Sequence, residues 1–281
     1  MKTLFLTAGD ISTASSRIRA YWPARYMDDA ECTPLTQLGE VLPDAENYIF
    51  QKAVHIDLMN WLLKKGKRVY WDICEPHHWF SPSLSREIAD AATGVVACSS
   101  FLGEDFSEWW GKSVTVIPDR IDLSEYTHRR EHTESTPVKF IWYGYSQNRF
   151  ALLGALANLE RLAANDYSIS LTIYDDAAAG GWNITDMFPI RHLAWSLENE
   201  NKVIASHDIA VLPPYPGPWG KVKSDNRSQV AEVCGLPVTN GFDYRHLEQL
   251  VRDPAARRTQ YSRHTDVLQS AQEWEALLCK S

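Results

Sequence analysis

Three basic side chains, Lys221, Lys223 and Arg227, fall within seven residues of the stretch GKVKSDNRSQVAEVCGLPV, interleaved with Ser224, Asp225 and Asn226. A helical pattern follows and stops at Gly235. Ammonium and guanidinium groups neutralise a dianion, a serine hydroxyl donates or caps, and the start of a helix offers free N–H groups. That set suits a diphosphate; on charge alone a solvated basic loop accounts for it equally well. Tyr215 and Trp219 flank the loop and can stack on a base or a sugar. A second group, Glu75-Pro76-His77-His78-Trp79, follows the apolar run RVYWDI directly. A carboxylate or imidazole there can act as a general base. Neighbouring histidines point in different directions, so at most one serves; the plainer reading has one capping a helix and the other exposed. Asp10 is a comparable catalytic candidate, and Ser16, Arg17 and Arg19 are candidates for a phosphate or anionic acceptor. No Asp-x-Asp triplet, a pattern that can hold a divalent ion on a diphosphate, occurs in the sequence.

The elements that must position these groups alternate between strand-like and helix-like runs, the pattern of parallel sheets covered by helices. Strands are expected at Lys2 to Thr7, Asn47 to Gln51, Arg68 to Ile73, Gly94 to Ala97 and Ser113 to Ile117. Helices are expected at Ser15 to Met27 with a kink at Pro23, Ile56 to Lys65, Ser83 to Ala91 and Ser100 to Trp110. Leu123 to Pro137 is polar, charged and without apolar period, as a linker is. Beyond it come strands at Lys139 to Tyr143, Ser168 to Tyr174, Ile209 to Leu212 and Leu236 to Thr239. Helices are expected at Phe150 to Ala164, His192 to Asn201 and Ser228 to Cys234, with one or two more in the last thirty-odd residues. Ligands of open α/β sheets sit outside the carboxyl ends of the strands, which singles out the loops Gly144 to Arg149, Tyr174 to Gly181 and Pro213 to Arg227.

With 281 residues, 44% of them hydrophobic and 23% charged, the chain can bury one large core or two small ones. Its amino terminus, MKTLFLTAGD, meets no small-residue cleavage site and reads as a first strand, and no apolar stretch is long enough to span a bilayer. Five scattered cysteines without a CxxC pair argue against a disulfide framework and a zinc site, and favour a reducing, cytoplasmic setting. A formal net charge of −8 weighs against a protein that coats nucleic acid by charge alone, although Arg17, Arg19, Arg25, Lys64, Lys65, Lys67 and Arg68 can build a local basic cleft.

In order and spacing, four stretches resemble the GT-B fold glycosyltransferases, the family 4 or group 1-like type. These are SSRIRAYWPARYM near the amino terminus, ADAATGVVACSSFL at Ala89 to Leu102, VTVIPDRID at Val114 to Asp122, and Lys223-Ser224-Asp225 followed by a helix and GLPV. The last is similar to the donor-site element of that family, and the third normally marks passage from acceptor to donor domain. The family's glutamate five residues before the helix-ending glycine is replaced by Val230, the nearest acid being Glu232. Its Gly-Arg pair in the first donor loop is replaced by Gly144-Tyr145-Ser146-Gln147-Asn148, with Arg149 as a substitute.

The resemblance implies two Rossmann-like α/β domains facing a cleft: 1–120 on the acceptor side, a linker at 121–137, a donor-binding domain at 138–262, and a C-terminal helix, 263–281, that can pack back on the first. It implies donor contacts from Gly144, Ser146, Arg149, Tyr174, Asp175, Tyr215, Lys221, Lys223, Ser224, Asn226 and Arg227. The implied activity is metal-independent transfer of a sugar from a UDP- or GDP-sugar to a saccharide or glycoconjugate, with no cofactor. Modified DNA bases as acceptors and a non-catalytic nucleotide-sugar-binding protein are the alternatives.

Overall fold

The computed structural model describes residues 1–39, 41–177, 182–259 and 266–280. The loop expected at Tyr174 to Gly181 lies partly outside them. The chain forms two compact units, Met1–Asp122 with Pro218–Ser224 and His264–Ser281, and Leu123–Gly217 with Asp225–Arg263.

Among the described residues, the sheet of the first unit has the order β2-β1-β3-β4-β5-β6. Its strands are β1 (Thr3–Thr7), β2 (Ala30–Pro34), β3 (Asn47–Gln51), β4 (Arg68–Ile73), β5 (Gly94–Ala97) and β6 (Thr115–Val116), all paired in parallel. The period-two alternation of β sequence divides its side chains between two faces. Leu4, Leu6, Phe50, Trp71, Ile73 and Val95 join one cluster, which α3 (Ile56–Lys64), α5 (Pro82–Ala91) and α6 (Ser100–Trp110) cover with Met59, Leu62, Ile88, Leu102 and Phe106. Phe5, Ile49, Tyr70 and Val96 join the other, covered by Ala20, Ala24 and, from α12 (Val267–Lys280), Ala271, Trp274 and Leu278. Helix α6 starts where the Ser99 hydroxyl accepts from the Leu102 N–H at 3.2 Å and ends at Gly111, whose φ of 82° is a left-handed cap.

The amino-terminal helix comes in three consecutive pieces: α1 (Ala14–Ser16), a π-helical stretch (Arg17–Tyr21) and α2 (Trp22–Ala24). Pro23 has no N–H to offer and its ring crowds the preceding turn, which the widened π-turn relieves. The short α4 (His77–Phe80) follows β4.

In the second unit the order is β11-β10-β7-β8-β9, again parallel throughout. The strands are β7 (Val138–Gly144), β8 (Ile169–Asp175), β9 (Ile190–Ala194), β10 (Ile209–Val211) and β11 (Val238–Thr239). Its helices are α7 (Leu153–Ala164), α8 (Glu200–Ala205), α10 (Asn226–Val233) and α11 (Tyr244–Arg252), while α9 (Trp219–Val222) belongs to the first unit. The helix expected at His192 to Asn201 is instead the edge strand β9, a short 3-10 turn and α8. β9 has one fully packed neighbour and no fully buried residue, so its sequence carries no strand-like alternation to read. The edge strand β2, Ala-Glu-Cys-Thr-Pro, escapes the sequence for the same reason.

The polar stretch after Leu123 is fastened to the second unit. His128 and Asn201 exchange hydrogen bonds of 2.7 and 2.8 Å, and the Arg130 N–H donates to the Cys234 carbonyl at 2.7 Å. Gly235, at φ 85°, has no room for a side chain, since a Cβ there would lie 3.0 Å from the Arg130 carbonyl oxygen. The buried Asp208 carboxylate gathers Arg130 Nη2 at 2.6 Å, Ser135 Oγ at 3.0 Å and the Lys139 N–H at 2.9 Å. Burial pushes its pKa up, but these donors outweigh burial and hold it below the usual aspartate range. A depressed folded pKa gives stability that is complete above the unfolded value of roughly 3.9 and is lost as pH falls below it. Asp208→Asn should therefore destabilise the protein near neutrality and flatten the acid side of its stability profile, read as urea midpoints between pH 3 and 6.

Candidate functional site

In the first unit the residues after β4 meet the short segment Pro218–Ser224. Val222 is fully buried in the core cluster of α3, α5 and α6, and the Ser99 hydroxyl donates to its carbonyl at 3.5 Å. With Val222 anchored, α9 leaves Lys221 exposed and turns Lys223 toward the end of β4, where Nζ lies 2.8 Å from Glu75 Oε1. The Lys223 ammonium also sits 4.9 Å from the centre of the Trp219 ring, which stacks edge-on with Phe80. A second ammonium, Lys52 Nζ, reaches the same Glu75 oxygen at 3.0 Å. Burial pushes the Glu75 carboxyl up, and the Lys223 and Lys52 charges more than reverse this, keeping it ionised below the usual range. Lys52 stands outside the residues singled out from the sequence; its signal is its place directly after the apolar run NYIFQ, at the carboxyl end of a strand.

The two histidines divide as their adjacency requires. His78 is buried, 2.8 Å from Asp105 Oδ2 through Nε2, and packed on Phe106 and Trp109. It is a core histidine. His77 is half-buried against Trp71, and its Nε2 has no hydrogen-bond partner among the described residues. Burial holds its pKa below the ordinary value despite the Glu75 charge, so the ring is neutral near pH 7 and able to accept a proton.

The residues at the end of β1 serve structure. Ser16 Oγ donates to Gln51 Oε1 at 3.0 Å and accepts from the Gly9 N–H, while Arg17 donates to the Ile11 and Ser12 carbonyls at 3.2 Å. Arg19, expected to meet a phosphate, is buried instead: its Nε donates to Asp72 Oδ2 at 3.0 Å, Nη2 pairs with Asp72 Oδ1, and Nη1 meets Asp119 at 3.1 Å. Its charge is spent inside the unit. Asp119 also accepts from Ser224 Oγ, which fixes that hydroxyl away from a capping role. Asp10 is exposed and accepts from the Ser12 hydroxyl and, at 2.9 Å, from the Ser12 N–H in an Asx-type turn; the hydroxyl first and the N–H second lower its pKa. Much of the basic set expected for a DNA cleft is engaged within the unit: Arg25 pairs with Asp122 at 3.1 Å, Lys67 with Asp44 at 2.7 Å, and Arg68 donates to the Leu278 carbonyl, while Lys64 and Lys65 are exposed.

The second unit gathers its own group at the carboxyl end of β7. Gly144 has φ 150°, and a Cβ on it would lie 3.2 Å from Arg227 Nη1. A side chain there would press the guanidinium back by a few tenths of an ångström and strain the backbone, so glycine suits the position. Arg227 Nη1 donates to the Tyr143 carbonyl at 3.2 Å, and the guanidinium lies 5.9 Å from the Tyr215 ring centre. Among the described residues no carboxylate pairs with it, and burial lowers its pKa. Asn226 opens α10 beside it, and no side chain caps that helix. Three expected contacts, Arg149, Asp175 and Tyr174, are engaged with one another or with backbone. Arg149 forms a two-pronged pair with the buried Asp175, and the Tyr174 hydroxyl, itself buried, donates to the Ser196 carbonyl at 2.9 Å. The Ser146 N–H donates to Asp176 Oδ1 at 2.6 Å, closing the loop after β7 onto the end of β8. A surface cavity of about 880 Å3 in the same unit, walled by Arg161, Tyr167, Phe242, Tyr244 and Glu248, includes none of these residues.

Among the described residues no three His, Cys, Asp or Glu side chains are grouped as a metal site requires, and no helix is long and apolar enough to cross a membrane.

Arg19→Met leaves Asp72 and Asp119 buried without their cation and should cost about 3–5 kcal/mol in denaturant unfolding. His78→Ala should cost about 2 kcal/mol through lost packing on Phe106 and Trp109 and the lost hydrogen bond to Asp105, whereas His77→Gln should leave stability within about 0.5 kcal/mol.

No protein-family model matches the chain, and no curated protein matches it by sequence. Solved structures do match by fold. Anabaena Alr3699/HepE, crystallised with UDP and glucose, aligns over 100% of both chains with a TM-score of 0.66 at 15% identity. The same protein with UDP-glucose gives a TM-score of 0.64 at 16% identity, again over both whole chains. S. aureus TarM, in complex with Fondaparinux, alpha-GlcNAc-glycerol and UDP, gives 0.53 at 13% identity, over 81% of this chain and 51% of its own. The α,α-trehalose 6-phosphate synthase of Burkholderia multivorans gives 0.52 at 10% identity, over 83% of this chain and 71% of its own. At these identities the likeness is one of fold, and the fold is that of the GT-B glycosyltransferases, with two parallel-sheet α/β units in one chain.

Proposed function

We propose that the protein is a glycosyltransferase that moves a sugar from a nucleoside-diphosphate sugar, of the UDP class, to a hydroxyl of a saccharide or glycoconjugate. The observation that carries this reading is Arg227: a largely buried guanidinium with no carboxylate partner among the described residues, beside a glycine whose backbone admits a close ligand and an uncapped helix start. A cation held where burial opposes its charge is stabilised by a bound anion. The whole-length likeness to a protein crystallised with UDP-glucose favours a diphosphate as that anion.

In the transfer, the bond between the sugar's anomeric carbon and the diphosphate oxygen breaks, its electron pair leaving on the phosphate. The acceptor oxygen bonds to the same carbon and its proton passes to a base. Arg227 takes the charge that grows on the leaving diphosphate, a role open to a side chain without a metal. His77, neutral near pH 7 and with a free ring nitrogen, is the candidate base, with Glu75 beside it in sequence. Asn226 and Tyr215 remain donor contacts in this reading. A cytoplasmic setting fits the five free thiols, two of which, Cys74 and Cys234, burial pushes up to about 12 and out of nucleophilic range. The DNA-base acceptor is set aside, because the arginines it needs are paired or buried.

The test is a thermal-shift and calorimetric panel of UDP, GDP, ADP, CMP and dTDP, with Mg2+ and with EDTA. At about 100 times its dissociation constant, one nucleotide should add roughly 2.7 kcal/mol of stability, equally with and without metal. Arg227→Ala should weaken that binding by about tenfold to a hundredfold. A panel in which no nucleotide binds overturns the transferase reading. His77→Gln should keep nucleotide affinity and lose turnover of the UDP-sugar by about a hundredfold or more.

A further inference from the structure

The cavity of about 880 Å3 in the second unit is built by the end of α7 and the start of α11, and none of the donor-contact candidates lines it. Its volume falls within the roughly 300–1,000 Å3 of small-molecule sites. One wall is a turn clamped to α7. Gly241, at φ 77°, approaches that helix so closely that a Cβ on it would lie 2.3 Å from the Ala155 Cβ. Asn158 Nδ2 donates to the Gly241 and Phe242 carbonyls at 3.0 and 2.9 Å. The Phe242 ring then lies against Gly154, where a Cβ would stand 2.9 Å from its Cε1. A lone exposed apolar side chain needs no explanation. This one is 52% exposed and yet seated by two glycines and an amide in the wall of a cavity, as a stacking face is.

The polar walls are held as firmly. Asp243 caps α11, its Oδ1 accepting from the Arg245 and His246 N–H groups at 2.9 and 3.2 Å, which places Tyr244 in the first turn. The Arg161 guanidinium stacks 3.9 Å from the centre of the Tyr244 ring and, among the described residues, makes no hydrogen bond or ion pair. Asn165 Nδ2 donates to the Tyr244 hydroxyl at 2.8 Å. Glu248 Oε1 accepts from the Tyr167 hydroxyl at 3.0 Å and from that of Tyr244 at 3.4 Å. These bonds fix the side chains and leave Glu248 Oε2 and Asn165 Oδ1 as acceptors.

The charges narrow the class of ligand. Arg161 and Arg245 are balanced by Asp243 and Glu248, so the lining has no formal excess with which to select an ion. A phosphate ester calls for cationic excess, and an apolar ligand would cover the guanidinium and the carboxylate without pairing them. A sugar ring suits both parts of the lining. Its C–H face lies on an aromatic ring, and its neighbouring hydroxyls, each donor and acceptor, meet guanidinium, amide and carboxylate.

We propose that this cavity binds an uncharged saccharide, with Phe242 as the stacking face and Arg161, Asn165 and Glu248 as the hydroxyl contacts. Its use, to retain a saccharide acceptor or product on the enzyme, rests on the transferase reading; the binding itself does not.

The test is calorimetry on the whole chain with uncharged tetrasaccharides of glucose, N-acetylglucosamine, galactose and mannose. It compares wild type, Phe242→Ala, Phe242→Trp and Arg161→Gln, with melting temperature and UDP affinity as controls. Wild type should bind at least one tetrasaccharide, Phe242→Ala and Arg161→Gln should each weaken that binding about fivefold to tenfold, and Phe242→Trp should keep it. Arg161 is exposed, so Arg161→Gln should melt with wild type and decides the matter even where Phe242→Ala unfolds. A tetrasaccharide that Arg161→Gln binds as wild type does, or that UDP displaces, overturns the proposal and leaves the nucleotide reading intact. Failure of every tetrasaccharide to bind wild type overturns it as well. Saccharide binding that depends on Arg161 in a chain that binds no nucleotide supports the cavity as a saccharide site and overturns the transferase reading.

Discussion

The guanidinium of Arg19 is the point on which the first unit turns. It lies in the π-helical stretch and reaches Asp72 at the end of β4, the Ile117 carbonyl just past β6, and Asp119 beyond that. Asp119 in turn takes the hydroxyl of Ser224, so one buried cation ties the amino-terminal helix, the middle of the sheet, its last strand and the returning segment Pro218–Ser224. Taking these charges out of water is costly, and only several partners in good geometry offset it. Glu75 and His77 follow Asp72 by three and five residues, and Lys223 directly precedes Ser224, so the geometry that aims them is set close to this node. Site and scaffold are thus joined through Asp72 and Asp119.

The same arrangement explains what the sequence disclosed. Strands whose residues pack on both faces, such as TLFLT and NYIFQ, carry continuous apolar runs and are read directly. Edge strands have fewer neighbours to satisfy, and β2 and β9 therefore carry no pattern that distinguishes them from loop or helix. Loops at the carboxyl ends were legible because parallel topology fixes which ends matter, which brought Gly144, Glu75 and Lys223 into view. What sequence does not display is the partner of each charge. Arg17, Arg19 and Arg149 have the composition of phosphate ligands, and each is occupied by carbonyls or carboxylates that lie far away in the chain or across a loop. Arg227 has the same composition and no carboxylate, a difference visible only in three dimensions. Lys52 was hidden for the opposite reason: a lone lysine after a strand gives no signal until its shared carboxylate is seen.

A polar stretch can also be misjudged by its polarity. The residues after Leu123 lack apolar period because their work is hydrogen bonding: His128 to Asn201, Arg130 and Ser135 to Asp208, His132 to the Gly235 carbonyl. Each satisfies a buried polar group of the second unit that would otherwise be left unpaired. Such a segment is ordered by specificity of partner rather than by hydrophobic burial, and composition alone does not separate it from a tether.

The chain also crosses between its two units four times, after Asp122, Gly217, Ser224 and Arg263. The first unit is therefore a discontinuous domain: Val222 completes one face of its core, and Trp274 with Leu278 completes the other. A gene fragment ending near residue 120 would encode the whole first sheet and yet leave both faces open, with Trp71 and Phe5 each missing part of their cover. Domain exchange with other members of this fold must therefore swap three separate stretches of coding sequence together. During synthesis the first unit also cannot finish until the helix Val267–Lys280 leaves the ribosome, although its sheet is made first.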